Sequence, residues 1–319
     1  MIFSVRHVTG FRYEPEVRES IMEVRMQPRS DARQRCLTFS LEVTPHANVM
    51  FYRDFLGNTV HHFDIPGRQG QITISAHAIV DVDQPLSLDA GQTLDWAAID
   101  AGLTEAGHWD MLLPSRYARP TALLEDLERE LRFTRGTAPP LETLLELNAA
   151  LYRAFEYAPN STQVDSPIDD ALRTRQGVCQ DFAHVMIALV RRLGIPCRYV
   201  SGYLFHADQK PDRSLEGATH AWVEAFLPDL GWVAFDPTNN LTGSQRHIRV
   251  AIGRDYSDVP PTRGVYKGNA DGELSVSVAV ALVDAPQPEE LRPATVIRRP
   301  RPADAAPSSP AFQDQQQQQ

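Results

Sequence analysis

The run Gly177-Val178-Cys179-Gln180-Asp181-Phe182-Ala183-His184 passes from a glycine-permitted turn into a long apolar stretch, which sets a thiol in the first turn of a buried helix. Backbone N–H groups at a helix start lack intrahelical acceptors and carry partial positive charge, so they favour thiolate over thiol and can hold an oxyanion. A thiolate also needs a base beside it, and the base needs an acceptor that orients it. Downstream, His220 and Asp236 supply an imidazole and a carboxylate. Such a trio attacks a carboxamide carbonyl: His220 pairs with Cys179, Asp236 accepts the other imidazole N–H, and an acyl-thioester forms that water or an amine releases. Residue types alone leave a second reading open, in which Cys179 is a small inert hydrophobe and His220 a hydrogen-bonded core residue.

The elements that must position these groups are legible from periodicity. Phe182 to Leu193 clothe nearly the whole circumference of a helix, which places it in the middle of a core. Arg191 and Arg192 complement its C-terminal dipole and Gly194 supplies the stop. Three strands are expected at Cys197 to Leu204, Thr219 to Leu227 and Trp232 to Asp236, the last ended by Pro237. A hairpin centred on Pro228 sets His220 and Asp236 opposite each other. A whole-residue shift of that centre keeps them on one face, and a half-residue shift separates them. Upstream, Leu123 to Leu131 and Leu141 to Phe155 carry helical spacing around the Pro139-Pro140 boundary. From Met1 to about Asp83 the apolar residues mostly alternate, as in Ile72-Thr73-Ile74-Ser75-Ala76, so an antiparallel β domain is expected there. The division predicted is a β-rich domain over residues 1–118, a catalytic domain over 119–283 and, from composition, a disordered tail over 284–319.

The neighbours of the trio read as follows. Asp181 is expected to serve as an acidic residue in the first helical turn, since its charge would oppose a thiolate beside it. His184 lies five residues beyond Cys179, roughly 140° further round the helix, and is rejected as the base. Cys197 and Cys36 read as packing residues, with a resolving thiol as a lesser alternative for Cys197. Trp222 and Trp232 flank the hairpin and are candidate walls for an acyl cleft, with a core role the default for both. Tyr157 and Tyr256 are candidates for a second oxyanion donor or for lining the site. His61 and His62 are adjacent on a strand and point to opposite faces, so they cannot readily serve one metal. Asp81 with Asp83, and Asp169 with Asp170, lack the glycine and distant glutamate of an EF-hand loop. No metal and no cofactor is expected, and no phosphate loop is present.

Composition narrows the partners. With 42% hydrophobic and 23% charged residues over 319 positions the chain is an ordinary globular protein, long enough for two cores. A formal charge of -10 argues against nucleic acid. No run approaches the roughly 20 apolar residues that span a bilayer. Three cysteines without a CxxC fit a reducing compartment, and no signal peptide is recognisable, so a cytoplasmic location is expected.

Four blocks, Gly177 to Ala183, Gly194 to Tyr203, His220 to Glu224 and Gly231 to Asn239, together resemble the transglutaminase-like superfamily. Gly253 to Pro261 resembles the bacterial branch in which a β-rich domain precedes the core. The resemblance spans residues 1 to about 283. It implies an α+β, papain-like core in which a helix bearing the cysteine at its N-terminus packs on an antiparallel sheet, with Cys179, His220 and Asp236 as the triad. It further implies thiol-dependent acyl transfer on a protein or peptide substrate. Hydrolysis by a cysteine peptidase or amidase is the preferred expectation, because water needs no second binding site. Protein-glutamine transamidation and a non-catalytic protein-binding module are the alternatives.

Overall fold

The computed structural model describes residues 1–84, 95–136, 138–207, 212–284 and 312–316. Its described residues divide into two compact units, one formed by Met1–Asp81 with residues 261–284 and 312–316, the other lying within Val82–Pro260.

The first unit is a sheet built on two long strands, β1 (Ile2–Val24) and β4 (Thr59–Val82), which pair antiparallel from Ile2 opposite Asp81 to Val24 opposite His61. β2 (Gln34–Thr44) and β3 (Met50–Arg53) lie on the β4 side. The alternation read from the sequence is the burial pattern observed: Ile72, Ile74, Ala76, Ala78 and Val80 are buried while their neighbours are not. Phe11, Tyr13, Val17, Met22, Phe63 and Ile65 complete one core. His61 is buried and His62, the next residue on the strand, faces the other way; burial pulls His61 down to about 4.

The second unit opens with α1 (Trp96–Ala106), α2 (Ala122–Leu131) and α3 (Pro140–Ala154). Asp95 accepts from Ala98 N–H at 2.8 Å and Thr121 from Leu124 N–H at 3.2 Å, satisfying donors at the helix starts. Pro140 occupies the first position of α3, where its missing N–H costs nothing. A two-residue strand β5 (Glu156–Tyr157), α4 (Ile168–Thr174) and a second short strand β6 (Gln176–Gly177) lead into α5 (Cys179–Arg192). Every residue of α5 from Cys179 to Arg191 is buried, as its all-round apolar surface requires. The helix lies against β7 (Cys197–Leu204) and β8 (His220–Leu227), with α2, α3 and α4 around it. β9 (Gly231–Asp236), β10 (Leu241–Thr242) and β11 (His247–Gly253) complete an antiparallel sheet of order β10-β9-β8-β7-β11. Arg191 does more than complement a dipole. Its guanidinium donates to the carbonyls of Leu113, Cys197 and Arg254, at 3.0, 2.8 and 2.6 Å, and so joins the helix end to three segments.

The hairpin between β8 and β9 differs from the expected register by one residue. Leu227 pairs with Gly231 and Val223 with Phe235, so the loop is centred on Asp229 rather than Pro228. Asp229 and Gly231 both take positive φ, 68° and 70°, which a three-residue loop accommodates. The shift is a whole residue, so His220, Trp222 and Asp236 still share a face.

Three further strands correct the domain division. β12 (Thr262–Lys267) and β13 (Asp271–Leu282) both pair with β1, β13 along its first half and β12 along its second. The expected catalytic domain therefore ends at Pro260 instead of residue 283, and residues 82–118 belong to it instead of to the β domain. Strand pairing across 250 residues leaves no local trace in sequence, which is why periodicity could not assign these strands to a unit. β14 (Phe312–Gln316) pairs with β12, so this part of the tail is a strand where disorder was expected. Ladder bonds use only backbone groups and composition does not register them. The remainder of the tail from residue 285 lies outside the described residues.

Gly202, in β7 opposite His220, is where the second sheet is tightest. A Cβ there would stand 2.1 Å from the Ile248 carbonyl oxygen and 2.7 Å from the Trp222 ring. Gly202→Ala is expected to cost about 1–3 kcal/mol by overpacking, measured by urea unfolding; wild-type stability would contradict this packing.

Candidate active site

Cys179 is the first residue of α5, and its turn is fastened from three sides. β5 and β6 run parallel with Tyr157 beside Gly177, two residues before the cysteine. Asp181 Oδ2 accepts the Val178 N–H at 2.8 Å and the Thr162 hydroxyl at 2.6 Å, one arm of a capping box. Gln180 donates to the Val164 carbonyl at 3.1 Å. Gly177 is required by this arrangement, since a Cβ would meet the Asp181 side chain at 2.7 Å. Burial pushes Asp181 up to about 6, against the pull of its two donors. Asp181 thus acts as a buried clasp for the cysteine turn, a stronger role than a solvated first-turn acid.

His220 begins β8 and Asp236 ends β9, and the two meet at 2.8 Å between Nε2 and Oδ2. Both are almost wholly buried, at 2% and 1% exposure, as is Cys179 at 2%. Burial alone pulls the imidazole down, but the Asp236 charge and hydrogen bond outweigh it, and His220 is raised to about 10. Cys179 is close enough to contribute to that rise. Nδ1, the nitrogen Asp236 leaves over, makes no hydrogen bond of regular geometry among the described residues. His220 therefore stands as a cation across the neutral range, one nitrogen committed to the carboxylate and the other available to sulfur. Asp236 is held well below the usual carboxylate range, because His220 and His247 together overcome its burial.

The carboxylate is more crowded than the sequence suggested. Oδ1 accepts the backbone N–H groups of Thr238 and Asn239, at 3.1 and 3.2 Å. Oδ2 accepts, besides His220, the Asn239 amide at 2.9 Å and His247 Nε2 at 3.2 Å. His220, Asp236 and His247 are the one group of three potential metal ligands among the described residues, their donor atoms within 4.8 Å of one another. With five hydrogen bonds already on Asp236, the cluster is accounted for as a hydrogen-bond network. Sequence reasoning gave Asn239 and His247 no role. Asn239 sits in a quoted block without a distinguishing pattern, and His247 reaches Asp236 only because β11 closes the sheet.

The candidate lining residues separate. Tyr157 is brought to the site: it is half-buried, and burial, then the charge Cys179 can carry, push it up to about 12. Its oxygen accepts the Leu215 N–H at 3.4 Å, which leaves its own proton to donate. Trp222 is 1% exposed and stacks on His220, with ring centroids 6.1 Å apart and planes at 24°; it braces the imidazole instead of walling an open cleft. Trp232 lies at the other end of the hairpin under the Arg198 guanidinium, at 4.0 Å. Tyr256 is fully buried among Tyr117, Tyr199 and His184, and its N–H donates to His184 Nε2 at 3.2 Å. It is a core residue and lines no cleft, contrary to expectation. His184, held down to about 4 by burial, is spent on that contact. Burial pushes Cys197 up to about 12 and Cys36 up to about 11, which opposes a resolving role for either thiol.

A cysteine at a helix start, packed on an antiparallel sheet that carries a paired histidine and aspartate, defines the papain-like class of thiol proteins. Residues 128–237 match the transglutaminase-like superfamily core, and residues 3–81 the bacterial transglutaminase-like N-terminal region. An uncharacterized protein of Mycobacterium leprae is 32% identical over 278 residues, covering 86% of this chain and 97% of its own. One from Mycobacterium tuberculosis is 34% identical over 307 residues, covering 87% and 92%. The chain belongs to the transglutaminase-like superfamily. Its fold is shared by a crystal structure from Cytophaga hutchinsonii described as a candidate cysteine protease, with a TM-score of 0.70 at 23% identity over 90% of this chain and 92% of that one. A protein-glutamine gamma-glutamyltransferase of Pseudomonas aeruginosa is 35% identical over 123 residues, 36% of this chain and 18% of its own length.

The clasp is testable apart from chemistry. Asp181→Ala strands the buried Val178 N–H and is expected to cost about 1–3 kcal/mol, while Asp181→Asn, which keeps an acceptor, costs markedly less in urea unfolding at pH 7. Equal losses would mean that the negative charge, and not the hydrogen bonds, fastens the turn.

Proposed function

We propose that the chain is a cysteine hydrolase of peptide or carboxamide bonds, acting through an acyl-thioester on Cys179. The observation that carries the reading is the imidazole held by Asp236 through Nε2, with Nδ1 left to a thiol at a helix start. His220 forms an ion pair with Cys179, sulfur attacks the carbonyl, and the imidazolium returns its proton to the leaving amine. Asp236 orients the ring throughout. The Cys179 N–H, which as the first of the helix has no intrahelical acceptor, and the Tyr157 hydroxyl hold the oxyanion. Water then takes the imidazole's help to release the acid. A polypeptide is the favoured substrate, and three free thiols support a cytoplasmic setting.

A second reading is transfer of the acyl group to a lysine amine, favoured by the name of the Pseudomonas relative. Offering water and a primary amine at comparable access to a trapped acyl-enzyme separates the two: acid as the main product supports hydrolysis, amide supports transfer.

The triad is tested by activity toward an activated acyl ester and by alkylation with iodoacetamide. Cys179→Ala abolishes turnover, His220→Ala lowers it by about 100- to 10,000-fold, and Asp236→Asn leaves a measurable part. Tyr157→Phe loses about 100-fold while still alkylating normally. Because an imidazolium faces the thiol up to about pH 10, alkylation of Cys179 proceeds at pH 6, where an unassisted thiol with a pKa of about 8.5 is almost wholly protonated. A rate that climbs only near pH 8.5, with small and equal effects of all three triad variants, would favour a non-catalytic binding module.

A further inference from the structure

Asp236 Oδ2 is approached by two imidazoles. His220 Nε2 stands at 2.8 Å and His247 Nε2 at 3.2 Å, the rings 6.0 Å apart between centroids. The second ring comes from β11, three strands away from Asp236 in the sheet, and makes no contribution to the mechanism above. Its tautomer follows from its partners. An ionised carboxylate can only accept, so Nε2 of His247 carries a proton. Nδ1 of the neutral ring is then an acceptor, and it takes the Ser244 hydroxyl at 2.7 Å, whose oxygen in turn receives the Arg246 N–H at 3.3 Å. The ring is further held against the edge of Trp222, with centroids 4.9 Å apart and planes at 61°, and Trp222 itself stacks on His220.

We propose that His247 is a positioning residue of the triad: with its orientation fixed by Ser244, it occupies one side of Asp236 Oδ2 and so confines the carboxylate to the orientation that presents this oxygen to His220.

The inference rests on the reading of Cys179 and His220 as nucleophile and base. Its physical content is a division of labour between two like groups in one environment. Burial draws both imidazoles toward the neutral form. In His220 the carboxylate outweighs it; in His247 it does not, and Arg246 and the His220 cation oppose a second charge. One ring is therefore the cation that Asp236 serves, and the other is a neutral donor that serves Asp236. A neutral donor fixes the oxygen without cancelling the charge that His220 needs, which a lysine or arginine in the same place would do. The Asn239 amide supplies a second neutral donor on the same oxygen, and the two leave the carboxylate no rotation that keeps its bonds.

The test needs no substrate. In full-length protein, alkylation of Cys179 by iodoacetamide is followed between pH 5 and 9 and mapped to that residue by peptide mass spectrometry, together with the thermal melting temperature. His247→Leu, which removes the donor, is expected to slow alkylation at pH 6 about tenfold and to move the acid limb of the profile upward. His247→Gln, which can still donate, recovers most of the loss at a similar melting temperature. Ser244→Ala, which unlocks the ring without removing it, shifts the limb in the same direction by less. Wild-type profiles in His247→Leu and Ser244→Ala overturn the proposal. So does an equal loss in the Leu and Gln variants that tracks a lowered melting temperature, which would mean packing alone. His220→Ala, run alongside, distinguishes failure of the underlying reading: if it leaves the profile unchanged there is no ion pair for His247 to serve, whatever His247 variants do.

Discussion

One carboxylate organises the second unit's chemistry. Asp236 is 1% exposed, and an isolated charge so placed would be untenable. It persists because five hydrogen bonds converge on it: two from the backbone that follows it, one from an amide and two from imidazoles. The first pair comes from the Pro237-Thr238-Asn239 turn, so the end of β9 builds its own acceptor's support. The remaining three come from elsewhere in the sheet and from its turns. A charge this well satisfied is rigid, and rigidity is what an orienting group must have. The Asp236 charge and its hydrogen bond to the ring are what raise His220 against the burial of the imidazole.

The cysteine is secured by an independent device. α5 is buried on all sides, so its N-terminal turn cannot fray into solvent, and Asp181 and the β5–β6 pair fix where that turn begins. The two halves of the site thus come from separate constructions, a helix start and a sheet, and meet because α5 packs on β7 and β8. Asn239 is a link between the surroundings of the thiol and those of the imidazole. Its side-chain Oδ1 accepts the Arg213 and Ser214 N–H groups at 2.7 and 3.1 Å, next to Leu215, whose N–H meets the Tyr157 hydroxyl.

What the sequence revealed, and what it hid, divide along the range of the interactions. The α5 helix, the three strands after it and the alternating β1 and β4 depend on periods of 3.6 and 2, and they lie where those periods put them. Cys179, His220 and Asp236 were legible as candidates because each sits at the end of such an element, within blocks of familiar order. The hairpin centre missed by one residue, since a turn that places Asp229 at positive φ is chosen by the strands' pairing as much as by Pro228. Tyr256 was misread because a tyrosine near a site carries no mark of which way it faces; here its hydroxyl-bearing ring closes an aromatic cluster. His247 and the return of β12 and β13 to β1 were beyond reach, being contacts that only the completed sheets create.

Burial sets Cys179, His220 and Asp236 apart from the segment beside them. Cys179, His220 and Asp236 are each at most 2% exposed, whereas Tyr157 is half-buried and Leu215, whose N–H meets the Tyr157 hydroxyl, is 52% exposed. Residues 213 to 215 thus reach solvent at Leu215 and are tied, through Asn239, to Asp236. Any displacement of residues 213 to 215 that costs Asn239 its partners therefore also loosens one of the donors that hold Asp236.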